Sequence, residues 1–224
     1  MLITRPICGA LQLAKRCIKC NINYHIDSLA NIAILTLANY TIKQYQIMGN
    51  LFIIITSQYA LNALLNFKFT MPIFLVGLKL KKKILELGYK NILFCGDNIK
   101  ILRDYIINNY SNINLLYLRG NVITENLVTN SNFYTKNISI FESIVYKTIY
   151  SNKLQNETIF RLKNNHIKYI ILFSLKIAEI FFFLIEYYGL FIYLKNILYI
   201  TLSDKIADYI NFYIKDSNKI ILIS

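Results

Sequence analysis

Tryptophan is absent from the sequence, and proline and glycine are scarce, with two and seven copies among 224 residues. The chain is instead crowded with Ile, Asn, Lys and Tyr. We interpret this bias as coding drift under AT-rich DNA, which places Ile or Phe where other chains carry Val, Ala or Leu and so raises the hydropathy. Hydrophobic residues make up 55% of the chain, which suffices for one large core or for two domains of about 100 residues each.

Nucleotide-binding motifs are also missing. No predicted strand is followed by GxGxxG or by a P-loop, and Gly77 and Gly96 stand alone. The four cysteines include a single CxxC pair at 17–20, with only His25 nearby as a further ligand. Because structural zinc requires four ligands, we predict no metal site and no cofactor, and we favour reduced cytosolic thiols over a redox role.

Acidic residues are few, since 12 Asp and Glu stand against 25 Lys and Arg, giving a formal charge of +13. A field of this size favours an anionic partner, which could be nucleic acid, a lipid surface or a polyanionic small molecule. The lysines are scattered, and the arginine-glycine or aromatic-basic runs of dedicated nucleic-acid binders are missing. We therefore expect no nucleic-acid partner.

One stretch, 169–194, is apolar enough to register as a membrane-spanning helix. Lys176 and two glutamates lie inside it, and a strongly charged side chain costs about 2.5 to 3.5 kcal/mol at the centre of a bilayer. From Ile177 onward, apolar residues recur at i, i+3, i+4 and i+7, which indicates a one-sided helix. We predict a buried strand at 169–173 and a helix at 175–188 with no membrane span, and we keep a membrane-associated protein as an alternative.

The rest of the chain alternates short apolar runs with amphipathic stretches, the pattern of βαβ units and parallel sheets. The other predicted strands are 2–4, 22–25, 52–55, 73–76, 92–94, 114–118, 197–201 and 220–223. The other predicted helices are 9–20, 58–65, 80–87, 99–109, 154–164 and 204–213. Two extended runs, 34–37 and 139–149, have no helix of their own, and the polar stretch 121–137 leaves room for a short helix. The predicted fold class is α/β.

Ligands of parallel sheets bind beyond the carboxyl ends of the strands, where helix N-termini present free N–H groups. Six predicted strand ends carry small, hydroxyl or basic residues: Thr4–Arg5, Thr56–Ser57, Gly77, 95–97, Ser174 and 201–203. Taken singly, each is more often a helix cap. As a set they indicate a site lined by N–H and hydroxyl groups, which suits carboxylates.

Several short segments carry a shared pattern in chain order. They are Leu2-Ile-Thr-Arg-Pro6, Ile55-Thr-Ser-Gln-Tyr-Ala-Leu-Asn-Ala-Leu64, Phe74-Leu-Val-Gly77 with Leu85-Glu-Leu-Gly88, Cys95-Gly-Asp-Asn98, Leu116-Tyr-Leu-Arg-Gly120, Glu142-Ser-Ile-Val-Tyr-Lys-Thr148, Phe173-Ser174 and Leu202-Ser-Asp-Lys-Ile-Ala207. In this order they resemble the uroporphyrinogen-III synthase family across essentially the whole chain. The sequence departs from the family pattern at Leu80-Lys81 and at Lys205-Ile206, where the family favours Thr-Ala and hydroxyl residues.

The resemblance implies two parallel-sheet α/β domains joined by a two-stranded linker, with the active site in the interdomain cleft. Residues 1–32 and 151–224 would build the first, discontinuous domain, and residues 40–140 the second. The linker strands would be 33–39 and 141–150, which accounts for the two extended runs without helices. Paired linkers also suit a hinge that closes over substrate.

The resemblance further implies a lyase that closes hydroxymethylbilane, a linear tetrapyrrole with eight carboxylate arms, to uroporphyrinogen III with inversion of the terminal ring. Such a reaction depends on orientation more than on acid–base groups, which fits a chain with two histidines. Tyr146 matches the family's linker tyrosine and is the candidate donor to the departing hydroxyl, although packing on a strand would also explain it. The predicted substrate-binding residues lie at or near strand ends and are Arg5, Thr56, Ser57, Gly77, Gly96, Arg119, Ser174 and Ser203. For the two arginines, which would pair with substrate carboxylates, a solvated surface charge is an equal alternative.

We therefore expect a cytoplasmic monomer of tetrapyrrole and haem biosynthesis that uses no cofactor. Its expected partner is the polycarboxylate hydroxymethylbilane, and its cations should make substrate capture weaken with salt. The alternative from another class is a non-catalytic tetrapyrrole-binding relative.

Overall fold

A computed structural model describes residues 1–123, 127 and 131–223 of the chain. The strands are β1 (Leu2–Ile3), β2 (His25–Ile26), β3 (Ala30–Ile34), β4 (Leu51–Ile55), β5 (Ile73–Val76), β6 (Ile92–Gly96), β7 (Asn114–Gly120), β8 (Ser139–Tyr150), β9 (Tyr169–Ile171), β10 (Leu198–Thr201) and β11 (Ile220–Leu222). The α-helices are α1 (Ile7–Lys19), α2 (Asn39–Gln46), α3 (Leu61–Leu64), α4 (Leu78–Glu86), α5 (Ile99–Asn109), α6 (Ser131–Thr135), α7 (Asn156–Lys163), α8 (Leu175–Tyr187) and α9 (Asp204–Ile214). Short 3₁₀ turns cover Gln58–Ala60, Phe191–Leu194 and Ser217–Lys219.

The chain divides into two compact units, one built from residues 1–31 and 149–224 and the other from residues 32–148. Each unit contains one sheet. Strands β1, β2, β9, β10 and β11 pair in parallel in one sheet, and strands β4 to β8 pair in parallel in the other. The predicted class of two parallel-sheet α/β domains is confirmed.

The first unit has a five-stranded sheet in the order β11-β10-β9-β1-β2. Its two faces alternate along the strands, because successive side chains of a strand point to opposite sides. Leu2 and Ile170 join a core beneath α7, α8 and α9, whereas Ile3 and Ile171 pack against α1. The sheet is thus covered on both faces, as parallel sheets require.

The second unit has a six-stranded sheet in the order β3-β8-β7-β4-β5-β6. Ile53 and Ile55 face the core that α3 and α4 cover, and Ile54 faces the core that α5 covers. Parallel pairing of β4 with β5 and β7, and of β7 with β8, brings the carboxyl ends of these strands to one edge. This edge carries most of the predicted site residues.

Two predicted strands are displaced in the structure, and one helix was not predicted. The strand expected at 34–37 lies at Ala30–Ile34, and the one expected at 22–25 is the short pair His25–Ile26. Helix Asn39–Gln46 was not predicted, because only Ile42 on it is buried and the helix therefore has no apolar stripe. Within the polar stretch 121–137 the structure has α6, and residues 124–126 and 128–130 lie outside the described part.

Asparagine takes the backbone positions that glycine usually fills. Among the described non-glycine residues, those with positive φ are Asn21, Asn50, Asn112, Asn137, Asn165 and Lys215. Asparagine tolerates the left-handed conformation better than other residues with a Cβ, because its short amide can bond the local backbone. A chain with seven glycines can therefore still end helices and form turns.

The apolar stretch 169–194 forms a strand and a helix, as predicted. Strand β9 pairs with β1 and β10, and α8 begins after Ser174 and ends before Gly189, whose φ is +64°. In the part of the chain that the structure describes, no helix is long and apolar enough to cross a membrane.

A buried polar chain joins β2 to the start of α7. Asp27, which is 3% exposed, accepts hydrogen bonds from the Gln155 backbone N–H (2.9 Å) and from the Thr158 hydroxyl (2.6 Å). The Thr158 oxygen lies 2.8 Å from His25 Nε2. Since Thr158 donates its one hydrogen to Asp27, His25 must donate Nε2–H to Thr158.

The pKa of His25 is lowered, mainly because burial disfavours its charged form and secondarily because Arg161 lies nearby. Below about pH 6.5 the unfolded chain therefore takes up a proton that the folded chain resists. We expect the free energy of unfolding, measured with urea, to fall as the pH is lowered through this range. His25→Gln, which keeps an N–H donor, should flatten that dependence. Equal pH profiles for the wild type and His25→Gln would contradict the assignment.

Candidate active site

A pocket of about 350 Å³ opens at the carboxyl edge of the six-stranded sheet, within the unit of residues 32–148. Its described lining residues are Thr56, Ser57, Val76, Asp97, Asn98, Ile99, Tyr117, Gly120, Val122, Ile123 and Tyr146. They come from the ends of β4 to β8 or from the segments that follow β4, β6 and β7. Three predicted site residues, Thr56, Ser57 and Tyr146, are thereby brought together.

Hydroxyl groups form one wall of the pocket. The Thr56 hydroxyl lies 3.0 Å from the Tyr117 hydroxyl, and either can donate. Burial raises the pKa of Tyr117, so its phenol stays protonated at neutral pH. Ser57 precedes the 3₁₀ turn and accepts the Tyr59 backbone N–H at 3.3 Å, which leaves its own O–H able to donate.

A β-bulge turns the Tyr146 side chain toward the wall of hydroxyl groups. Along β7 and β8 the pairing runs Arg119 with Ile144 and then Gly120 with Tyr146, so Val145 is an extra residue on β8. Consecutive residues of a regular strand face opposite sides of a sheet. Here Val145 and Tyr146 both pack into the same core, because the bulge turns Tyr146 back onto the face that Val145 occupies.

Gly120 makes room for the Tyr146 ring. A Cβ atom at position 120 would lie 2.5 Å from Tyr146 Cε2 and 2.6 Å from Cζ, well inside contact distance. The ring of Tyr59 packs on Tyr146 with a centroid distance of 5.6 Å. The Tyr146 hydroxyl makes no hydrogen bond to any described residue, so it remains able to donate to a ligand.

Gly77 and Gly96 lie beside the pocket rather than in its described lining, although their neighbours Val76 and Asp97 line it. Gly77 has φ +92° and precedes α4, a conformation that side chains with a Cβ rarely adopt. A Cβ at Gly96 would lie 3.1 Å from the Asn98 carbonyl oxygen. Local backbone geometry therefore favours glycine at both positions. Their predicted role in substrate binding stays a prediction.

Arg119 is engaged within the protein. Its Nε donates to Glu142 Oε1 at 2.8 Å and Nη2 donates to Oε2 at 3.0 Å, while Nη1 donates to the Gly120 carbonyl at 2.8 Å. These bonds use three of the five N–H donors of the guanidinium, and its charge is paired with Glu142. The predicted contact of Arg119 with a substrate carboxylate stays a prediction.

Arg5, Ser174 and Ser203 belong to the other unit and are not in the described lining of this pocket. They follow the neighbouring strands β1, β9 and β10, so they share the carboxyl edge of the five-stranded sheet. The Arg5 guanidinium lies 5.2 Å from the centroid of the Phe173 ring. Ser174 and Ser203 precede α8 and α9, and their hydroxyls do not cap these helices.

Several lining residues were not predicted. Tyr117 lies within the apolar run of β7, and nothing in the sequence around it indicated a polar role. Asp97 and Asn98 belong to a strand end that the sequence did single out, but only Gly96 was chosen there. Leu80 and Ile206, two of the positions where the sequence departs from the family pattern, are core residues that are each 6% exposed. Packing in the core therefore accounts for them.

A second pocket, of about 300 Å³, is lined by Phe133, Tyr134 and residues 137–141. None of the predicted site residues lies in its described lining, and these lining residues carry no formal charge. The convergent hydroxyls therefore make the pocket around Tyr146 the better candidate for a functional site.

Together, the two parallel sheets and the hydroxyl-lined pocket define an α/β protein with a candidate small-molecule site at the carboxyl edge of a sheet. Residues 38–215 match the family model of uroporphyrinogen-III synthase HemD. Because this match covers most of the chain, the protein belongs to the uroporphyrinogen-III synthase family, a family of porphyrin biosynthesis. The predicted resemblance is confirmed.

Two solved structures share the fold. A mutant uroporphyrinogen III synthase from the extremely thermophilic bacterium Thermus thermophilus is 10% identical with a TM-score of 0.54, over 95% of this chain and 88% of that one. A uroporphyrinogen-III synthetase from Helicobacter pylori is 18% identical with a TM-score of 0.55, over 84% of this chain and 82% of that one. At these identities the comparison shows the fold alone. No curated protein matches the sequence.

The contact between Gly120 and Tyr146 leads to a first test of the site. Gly120→Ala should displace the Tyr146 ring and lower the free energy of unfolding by about 1 to 3 kcal/mol, the usual cost of overpacking. Urea denaturation measures the cost, and a crystal structure of the variant shows the ring. Gly49→Ala is the control, because a Cβ at Gly49 would meet no atom within 4 Å. An unmoved ring and unchanged stability in Gly120→Ala would refute the described packing.

Proposed function

We propose that this protein is a uroporphyrinogen-III synthase, which converts hydroxymethylbilane to uroporphyrinogen III with loss of water and inversion of the terminal pyrrole ring. Membership of the family supports the reaction class. The observation that carries the proposal for this chain is the Tyr146 phenol, which has no hydrogen-bond partner among the described residues and is held over Gly120 in a pocket lined by hydroxyl groups.

The groups of the pocket match those of the proposed substrate. Its carboxylate arms accept hydrogen bonds, and the hydroxyls of Ser57, Tyr117 and Tyr146 can donate them. Its pyrrole N–H groups are donors, and the Asp97 carboxylate can accept from them. A volume of about 350 Å³ is at the lower end for small-molecule sites, so the pocket would hold part of a four-ring molecule.

In the proposed reaction Tyr146 assists the loss of hydroxide. Departure of the hydroxyl group from the hydroxymethyl carbon is easier when a donor stabilises the negative charge that develops on oxygen. A protonated phenol can supply this hydrogen bond, and its ring is fixed by Gly120 and Tyr59. The remaining contribution is orientation, since the open tetrapyrrole closes unaided to the product without ring inversion, and the enzyme must favour the other closure.

Isomer analysis tests the proposal directly. Purified protein is given hydroxymethylbilane, the products are oxidised to uroporphyrins, and the type I and type III isomers are separated by chromatography. We expect mainly type III product with the protein and type I without it. A product mixture unaltered by the protein would refute the proposed activity and favour a non-catalytic tetrapyrrole-binding relative.

Replacing the phenol tests its role. Tyr146→Phe should lower the turnover rate for type III product by about 10²-fold, because the hydrogen bond to the departing oxygen is lost. Its urea unfolding curve should match the wild type. Tyr40→Phe is the control, since the Tyr40 side chain is 67% exposed on α2, outside the pocket lining. Near-normal turnover in Tyr146→Phe would remove this residue from the mechanism.

A further inference from the structure

The pocket poses a charge problem for the substrate class proposed above. That substrate carries eight carboxylates, yet the described lining of the pocket includes the acidic Asp97 and neither lysine nor arginine. The nearest cation on β7, Arg119, is paired with Glu142. A polyanion held here needs a cation at the rim of the pocket.

Helix α4 supplies cations next to this rim. It follows Val76, a lining residue, and carries Lys79, Lys81, Lys82 and Lys83. The one acid of this helix, Glu86, is its last residue, so the turn that carries Lys79 contains no acid. The side of the helix that each lysine occupies decides which of them can reach the pocket.

One contact orients the helix. The Lys83 ammonium donates to Gln58 Oε1, and Gln58 directly follows the lining residue Ser57. Lys79 lies four residues before Lys83 and therefore on the same side of α4, one turn nearer the strand ends. Helical Cα–Cβ bonds tilt toward the helix N-terminus, which inclines the Lys79 side chain toward the same edge of the sheet.

Lys81 lies on the opposite side of the same helix from Lys79. At 100° per residue the two positions are about 200° apart, so their side chains leave the helix in nearly opposite directions. Neither lysine forms an ion pair with a described residue. The two lysines thus have the same charge but different directions.

We propose that Lys79 binds a carboxylate arm of the substrate at the rim of the pocket formed by Thr56, Ser57 and Tyr146. This assignment rests on the proposed function, and it adds a cation that the uncharged hydroxyl wall does not provide.

The test compares Lys79→Met with Lys81→Met. Steady-state kinetics with hydroxymethylbilane should show KM raised about fivefold in Lys79→Met, the upper range for an exposed ion pair, with kcat and the type III fraction unchanged. The KM of Lys79→Met should also depend less on salt concentration. Lys81→Met should change KM by less than about twofold, and Lys79→Arg should restore it.

A binding measurement separates this proposal from the proposed activity. Uroporphyrin III, a stable octacarboxylate, is titrated into each variant by calorimetry at low and high salt. Weaker binding in Lys79→Met than in Lys81→Met supports the assignment, whether or not the wild type makes type III product. Equal losses in the two variants would overturn it and indicate a diffuse field of positive charge. Absence of type III product from the wild type would refute the activity alone.

Discussion

Tyr146 and Gly120 face each other across two paired strands, and the candidate site depends on how closely they pack. The extra residue Val145 turns the Tyr146 side chain so that its ring covers Gly120 on the neighbouring strand. Because Gly120 has no Cβ, the ring can pack closely against the backbone of that strand. A ring confined in this way has few rotamers left, so its hydroxyl is held in place without a hydrogen bond to another described residue. That combination of a fixed position and a free donor is suited to a ligand.

The chain has 18 tyrosines, and the surroundings of each hydroxyl separate their roles. The Tyr89 hydroxyl donates to the carbonyls of Leu64 and Phe67 and thereby fastens a loop to the core. The Tyr199 hydroxyl is fully buried without a partner among the described residues, and burial raises its pKa, which makes it an inert core group. Tyr146 differs from both because its ring is packed while its hydroxyl opens into a pocket.

Sequence patterns predicted most of the strands and helices because both faces of each sheet are covered, and covered strands read as continuous apolar runs. The bulge at Val145 could not be predicted, since it arises from the pairing of β7 with β8 and no residue type marks it. Tyr117 was missed for a similar reason, because a tyrosine inside an apolar run reads as core. Arg119 was predicted as a free cation, but its partner Glu142 lies 23 residues away, and only the register of two strands brings them together.

The central claim is that the Tyr146 phenol donates directly to the tetrapyrrole, and nuclear magnetic resonance can observe this group. With tyrosine labelled by ¹³C at Cζ and the Tyr146 signal assigned from the spectrum of Tyr146→Phe, uroporphyrin III is added at neutral pH. The account predicts a saturable shift of the Tyr146 signal, while the signal of the buried Tyr199 stays in place. A Tyr146 signal that does not move when the ligand is bound would contradict the account.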